Sequence, residues 1–423
     1  APAAPVLARQ GGGSNIILFE VDGDAAPQPL DAIDLSAGHV VGEAIVFLKP
    51  GLSELEVEAL RQAFEMTSLV HHAALGSYRA RFAVETAGET LERVNLLGED
   101  PRVARAFLNH LVDILQAQEP QINRQDWLLS LGLPAGYDTC FPRQGEGVTI
   151  AVIDTGADLT LPNPDVPELA LPASAPQGLN FSPNTADPTG QDELGHGTVV
   201  STIAAASANR FNGLGVAPRA TVLPLKVFAR VGGAVKGTNE GVSQAMLQAF
   251  QLEAGVINMS LGCGGCTRAT EDEMRAFYGR VLDKLIADQA AAGRRMPVVV
   301  AASGNDGENL VDSPAAAHPD VIAVGSVRAD LGGRSAFSNY GPELDLLAVG
   351  ENATTTLLGG EFSNGGSGTS FAAPQVAGLV ALILAEQPDL DPDGVREVLL
   401  ACFVEDLGPA GFDEETGWGR AVV

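Results

Sequence analysis

Apolar positions in the C-terminal two-thirds of the chain gather into short β-branched runs that stop abruptly at polar or glycine residues. The runs are Val148 to Ile153, Thr221 to Val227, Val256 to Leu261, Val298 to Ala302 and Val321 to Val327, and helical patterns follow them. A strand with one face in water alternates apolar and polar residues. Runs that are apolar at nearly every position therefore predict a mostly parallel sheet covered by helices on both faces, an α/β architecture. In open sheets of this class ligands bind beyond the carboxyl ends of the strands, so the residues just after each run are where chemistry is expected.

The N-terminal part reads differently. Residues 1–39 are rich in Ala, Pro and Gly, including Gly11-Gly12-Gly13-Ser14, with one short apolar run from Ile16 to Phe19, and this composition predicts a flexible segment. The apolar run Ala44 to Leu48 then ends at Lys49-Pro50-Gly51, after which Ser53 caps a helix and Glu56 completes a capping box. Tyr78 to Val84 alternates like a strand, Thr90 to Leu97 has helical spacing, and Val103 to Ile114 predicts a further strand. Residues 40–115 thus read as a small α+β domain, residues 116–124 as an exposed linker, and residues 125–423 as the sheet domain.

Charge narrows the partners. Lys and Arg number 25 against 53 Asp and Glu, a net charge of −28 that repels phosphate backbones and anionic lipid, so nucleic acid and membrane are excluded as partners. No apolar run approaches the roughly 18 residues that span a bilayer, and the longest, Val376 to Ala385, is interrupted by Gly378. The opening Ala1-Pro2-Ala3-Ala4-Pro5 fits a chain recorded after signal-peptide removal, so a secreted, extracellular location is the expectation. Four cysteines form an even set compatible with two disulfides in three possible pairings. Spacing favours Cys263 with Cys266, which would leave Cys140 with Cys402.

Three segments carry chemistry. The first run ends in Ile153-Asp154-Thr155-Gly156, putting a carboxylate at the edge of an apolar core. Gly195-His196-Gly197-Thr198 offers an imidazole between glycines, and Gly368-Thr369-Ser370-Phe371-Ala372-Ala373-Pro374 places a serine ahead of a helical pattern from Gln375 to Leu384. A serine hydroxyl is a poor nucleophile until a base takes its proton. Imidazole titrates near neutrality and suits that task, and a buried carboxylate fixes its tautomer and steadies its charged form.

In the order Asp, His, Ser these motifs resemble the subtilisin-like serine proteases, as do Ser260-Leu261-Gly262, Ala302-Ser303-Gly304-Asn305 and Phe337-Ser338-Asn339-Tyr340-Gly341-Pro342. The resemblance covers about residues 120–423. It implies peptide-bond hydrolysis through an acyl-enzyme on Ser370, with His196 as general base, Asp154 orienting it and Asn305 as oxyanion donor. It further implies an extended protein or peptide substrate laid along Ser260, Leu261 and Gly262, with Gly233 on the other side. Ala302 and Ser303 would wall the pocket for the residue before the scissile bond, with Asp306 at its rim and Asp312 near its base, which suggests acceptance of basic residues. No cofactor is implied for the chemistry. A structural calcium is implied at Asn209, with Asp165 or Asn163 and the carbonyls of Ser207, Phe211 and Gly213 as further ligands, and a Cys263–Cys266 bridge would clamp the pocket wall. One departure is that the histidine and glycine common after the catalytic histidine are here Val199 and Thr202.

Residues 40–115 resemble the inhibitory propeptide domain of the same family, including Asp100-Pro101-Arg102-Val103 before the last strand. That implies a self-processing zymogen whose propeptide is its own intramolecular inhibitor until the linker is cut, the mature enzyme acting as a monomer. The alternative is a catalytically silent or permanently inhibited peptide-binding module.

Overall fold

The apolar runs become strands of a single sheet in the computed structural model of the protein, which describes residues 39–72, 77–84, 86–110, 121–163, 166–183, 187–231, 234–262 and 267–423. The order across the sheet is Val404–Glu405, Arg420–Ala421, Leu346–Val349, Val321–Val327, Val298–Ala302, Val256–Met259, Thr149–Asp154, Thr221–Lys226 and Leu179–Asn180. All neighbours run parallel except the outermost pair, Val404–Glu405 with Arg420–Ala421. Every residue of Val256–Met259, Val298–Ala302 and Val321–Val327 is buried, as continuous apolar runs demand.

The sheet is entered from its interior. From Thr149–Asp154 the chain reaches the adjacent Thr221–Lys226, then crosses to Val256–Met259 on the opposite flank and builds outwards. The strand order therefore reverses at Thr149–Asp154, and a crevice opens beyond its carboxyl end, where Asp154 stands. The Val256 strand stops at Met259, earlier than its apolar run, because Ser260 and Leu261 leave the ladder.

Helices His196–Ala205 and Thr369–Glu386 pack on each other and on the sheet, while Asn239–Gln251 and Arg268–Ala291 pack on each other. Thr369–Glu386 corrects one expectation: with 18 residues and a mean hydropathy of 1.4 it is long and apolar enough to cross a membrane, yet 89% of it is buried inside the protein. Its isolated polar residues break the unbroken run that the sequence reading sought without lowering the average much. Thr202, which replaces a common glycine, is accommodated by hydrogen bonds. Its hydroxyl donates to the Thr356 carbonyl at 3.0 Å and accepts from Thr355 Oγ1 at 3.1 Å, tying the His196 helix to the Thr354–Thr356 strand.

The chain divides into two compact units, residues 1–116 and 117–423. In the first, an antiparallel sheet of order Met66–His72, Ser77–Phe82, His39–Leu48 and Val103–His110 carries helices Glu54–Ala63 and Ala87–Glu99. Ala44, Val46, Leu60, Met66, Ala80, Phe82, Val94, Leu97 and Val103 form its own core. The Ser53–Glu56 capping box forms as predicted, and Thr86 with Glu89 makes a second. Residues 1–38 and 111–120, which hold most of the predicted flexible segment and part of the linker, lie outside the described residues.

The predicted Cys140–Cys402 bridge is not formed, since both are exposed free thiols. Their chain neighbours meet instead: the Phe141 and Phe403 rings lie 5.0 Å apart between centroids, and Thr139 Oγ1 donates to Cys140 Sγ at 3.6 Å. Cys263 and Cys266 lie outside the described residues.

Candidate active site

Asp154 ends its strand fully buried, and His196 begins the facing helix half-buried. His196 Nδ1 lies 2.8 Å from Asp154 Oδ1 and 3.0 Å from Oδ2. A carboxylate only accepts, so Nδ1 holds the hydrogen and Nε2 keeps its lone pair for another proton. Backbone stitching fixes this pair. The Thr155 N–H donates to Asp154 Oδ1 at 2.6 Å, and the Gly197 N–H donates to Thr155 Oγ1 at 2.7 Å. A Cβ on Gly197 would fall 2.1 Å from the Gly156 carbonyl oxygen, so any other residue would push the imidazole away from its carboxylate.

Burial alone lowers the pKa of His196, but the charge and hydrogen bond of Asp154, with the charge of Asp192 added, outweigh it and hold the imidazole above its usual value. Asp192, which the sequence reading missed, is buried and accepts four hydrogen bonds. Oδ1 takes the N–H groups of Leu194 (2.8 Å) and Gly195 (3.0 Å), and Oδ2 takes the Thr198 N–H (2.9 Å) and Oγ1 (2.7 Å). It thereby satisfies two of the amides where the His196 helix starts, those of Gly195 and Thr198. The signal was present: an Asp shortly before a helix start is a capping residue type.

Ser370 is the second residue of its helix, and its ring-bearing neighbour Phe371 lies 5.7 Å from the His196 ring between centroids, so the imidazole stands at the head of that helix. In this resting arrangement Ser370 Oγ donates to the Ser260 carbonyl at 3.3 Å. Pro374 explains a second link. Lacking an N–H, it cannot donate to the Ser370 carbonyl four residues back, and that carbonyl instead accepts from Ser260 Oγ at 2.9 Å. Ser260 and Ser370 are thus held together by reciprocal bonds.

Asn305 is oriented by the same helix. Its Oδ1 accepts the Thr369 N–H at 2.8 Å and Thr369 Oγ1 at 3.1 Å, which leaves Nδ2 as the donor facing outwards. The point where a Cβ on Gly368 would lie is 3.5 Å from Asn305 Oδ1, 3.7 Å from Asn305 Nδ2 and 3.8 Å from the Ser370 nitrogen, so the Asn305 amide and that nitrogen flank one position. Two such donors beside a serine and a histidine are of the kind that can bind an oxyanion as it forms.

Of the other predicted residues, Ser260 is buried, Leu261 is half-buried and Gly262 is exposed at the strand end, while Asp306 is exposed. Ala302 and Ser303 are buried, and Ser303 Oγ donates inward to the Asn339 carbonyl at 3.1 Å. Gly233 lies outside the described residues, between the paired segments Ala229–Val231 and Ala234–Lys236. Asp165 also lies outside them. Asn209 Oδ1 accepts the Phe211 N–H at 2.9 Å, and Nδ2 donates to buried Glu168 at 2.9 Å. Among the described residues no group of three His, Cys, Asp or Glu is disposed to hold a metal.

The family model for the subtilase family matches residues 145–419, spanning the strand of Asp154 and all four residues just described. The chain belongs to the subtilase family. This subtilase is 31% identical over 370 residues to a thermophilic serine proteinase of Bacillus sp. (strain AK1), covering 86% of this chain and 84% of that protein. It is 33% identical over 321 residues to subtilisin NAT of Bacillus subtilis subsp. natto, covering 75% and 74%. A solved lanthipeptide protease superposes on 71% of the subtilase and 92% of its own chain, with a TM-score of 0.56 and 25% identity. The subtilase is therefore a serine endopeptidase, a hydrolase acting on protein or peptide substrates without a cofactor for the chemistry.

The charge of Asp192 on His196 leads to an expected pH dependence. A base must be deprotonated to act, so the acid limb of kcat/KM is expected above the ordinary imidazole value of about 6.5. Asp192→Asn removes one of the charges that raise it, and the limb should move to lower pH. A pH–rate profile checks both.

Proposed function

We propose that this protein is a secreted endopeptidase made as a self-processing zymogen, with Asp154, His196, Ser370 and Asn305 as its working residues. One observation carries the reading: a fully buried Asp154, paired with a half-buried His196, stands at the head of the Ser370 helix near the Asn305 amide and the Ser370 nitrogen. Ser370 Oγ turns from the Ser260 carbonyl towards His196 Nε2, gives up its proton there and attacks the substrate carbonyl carbon. The carbonyl oxygen becomes an oxyanion between Asn305 Nδ2 and the Ser370 N–H. Collapse breaks the C–N bond, and His196 passes its proton to the leaving amine. Water then repeats the cycle on the acyl-enzyme, releasing the carboxylic acid and restoring Ser370.

The substrate strand is proposed to lie along Ser260, Leu261 and Gly262, with Gly233 across from it. The first unit is proposed as the propeptide. It has a core of its own, and the match to the thermophilic serine proteinase covers more of this chain than the second unit holds, so it reaches into the first. A zymogen keeps such an enzyme silent in the cell that makes it, which suits release of activity outside, as a monomer. The test is the intact mass of purified wild type beside Ser370→Ala. The wild type is expected to lose its N-terminal unit and the variant to stay whole. Both staying whole, with no labelling of Ser370 by a fluorophosphonate probe, would favour a silent peptide-binding module instead.

A further inference from the structure

The side chain of Asn305 is tied to the Ser370 helix, but the backbone on either side of it is held by a residue that the mechanism does not use. That residue is Asn339, which is 1% exposed. Its Oδ1 accepts the N–H groups of Asp306 (2.9 Å) and Glu308 (3.1 Å), which occupies both lone pairs of the amide oxygen. Its own N–H donates to the Gly304 carbonyl at 3.0 Å, and its carbonyl accepts Ser303 Oγ at 3.1 Å. These bonds grip Ser303 and Gly304 before Asn305, and Asp306 and Glu308 after it. The Asn305 side chain therefore leaves a main chain that is fixed on both flanks.

Behind this loop the packing is close. Gly304 has a φ of +106°, and a Cβ there would lie 2.3 Å from Asn339 Nδ2 and 2.6 Å from Asp312 Oδ2. Asn339 is anchored in turn: its Nδ2 donates to Asp312 Oδ1 at 3.2 Å, and the Asp312 N–H donates to the Ser303 carbonyl at 2.8 Å. Burial, followed by the charges of Glu271 and Asp306, pushes the Asp312 carboxyl up to about 7, against the pull of Asn339 and Arg275. Glu271, in the first turn of Arg268–Ala291, is itself 1% exposed, and among the described residues neither of its carboxylate oxygens has a hydrogen-bond partner.

Resting on the endopeptidase reading, we propose that Asn339 is a positioning residue for the oxyanion donor, setting the Asn305 amide where the charge will form. Buried behind the loop, Asn339 meets neither substrate nor the reacting atoms, so it acts through Asn305. A donor stabilises an oxyanion strongly only when it already stands in place, and a misplacement of about 1 Å can cost about 10² in rate. Truncating Asn339 to alanine keeps its backbone bonds but leaves the Asp306 and Glu308 N–H groups without their acceptor, which loosens the loop on the far side of Asn305.

The test is a double-mutant cycle on kcat, expressed per active site counted by fluorophosphonate labelling run to completion. Asn339→Ala is expected to lower kcat by about tenfold to a hundredfold with KM within about twofold, and to cost less than about threefold where Asn305 is already leucine. Asn339→Asp is the companion should the alanine variant fail to fold. It keeps an oxygen for the Asp306 and Glu308 N–H groups, and at low pH a proton shared with Asp312 stands in for the lost Nδ2–H. As pH rises that proton leaves and two carboxylates face each other, with the charges of Glu271 and Asp306 adding to the repulsion and Arg275 opposing it. The kcat of Asn339→Asp relative to wild type at the same pH should therefore fall as pH rises, and the fall should vanish in the Asn305→Leu background. Equal losses with and without Asn305 overturn the proposal, as does an Asn339→Asp ratio that is flat with pH. Labelled wild type with such additive losses refutes only the positioning role, while wild type that neither labels nor cleaves peptide refutes the endopeptidase reading and the positioning role with it.

Discussion

Asp154→Asn is expected to lower kcat by about 10⁴ with the fold intact, the magnitude seen when the acid of a serine-protease triad is made neutral. Both carboxylate oxygens face His196 Nδ1, and Oδ1 also accepts the Thr155 N–H. An asparagine can keep the backbone bond with its oxygen, but its amide then presents N–H to Nδ1. The imidazole must answer with the tautomer that carries its hydrogen on Nε2, where the proton of Ser370 has to go. The loss should therefore fall on kcat, with KM little changed and circular dichroism unaltered. Active-site titration under slow turnover distinguishes this from a shrinking population of folded enzyme.

Asn305→Leu should cost about 10²–10³ in kcat, as loss of one oxyanion-hole donor does in subtilisin. Leucine also deletes the acceptor for the Thr369 N–H, so Asn305→Asp is the sharper companion. It keeps an oxygen for Thr369 N–H and Oγ1 while replacing the outward donor with an acceptor. If stabilisation of the oxyanion is what Asn305 supplies, the aspartate variant loses at least as much turnover as the leucine variant. Near wild-type rates for either, measured on one peptide, would remove Asn305 from the mechanism.

Much of the sheet was legible because a strand buried on both faces is mostly apolar, and Val298–Ala302 and Val321–Val327 form over the residues read from sequence. Leu346–Val349 was not, since four apolar residues carry no period. Edge strands such as Val404–Glu405 have only two residues and are defined by their partners rather than by composition. Met66–His72, with Thr67, Ser68 and two histidines, has no alternation to read and is a strand because Ser77–Phe82 pairs with it. At the site, Asp154, His196, Ser370 and Asn305 stood out because each lies in a short contiguous motif. Asp192, Thr155 and Thr369 did not, because they act on backbone amides and hydroxyls that only folding brings near. Glu271 is hidden for another reason: within Thr270-Glu271-Asp272-Glu273 it reads as one more solvated acid, and only its burial sets it apart.

The helix that carries Ser370 is among the most buried parts of the molecule, enclosed by the sheet and by the His196 helix. Segments of that kind open only when the whole domain opens, so their amides exchange with solvent at the slowest rates in the protein. Catalytic competence is thereby coupled to global unfolding rather than to fraying at the surface. In a solution of peptidases digesting one another, a copy nicked at an outer loop would go on working until its core gives way, and the lifetime of activity would follow the unfolding rate rather than the first cut.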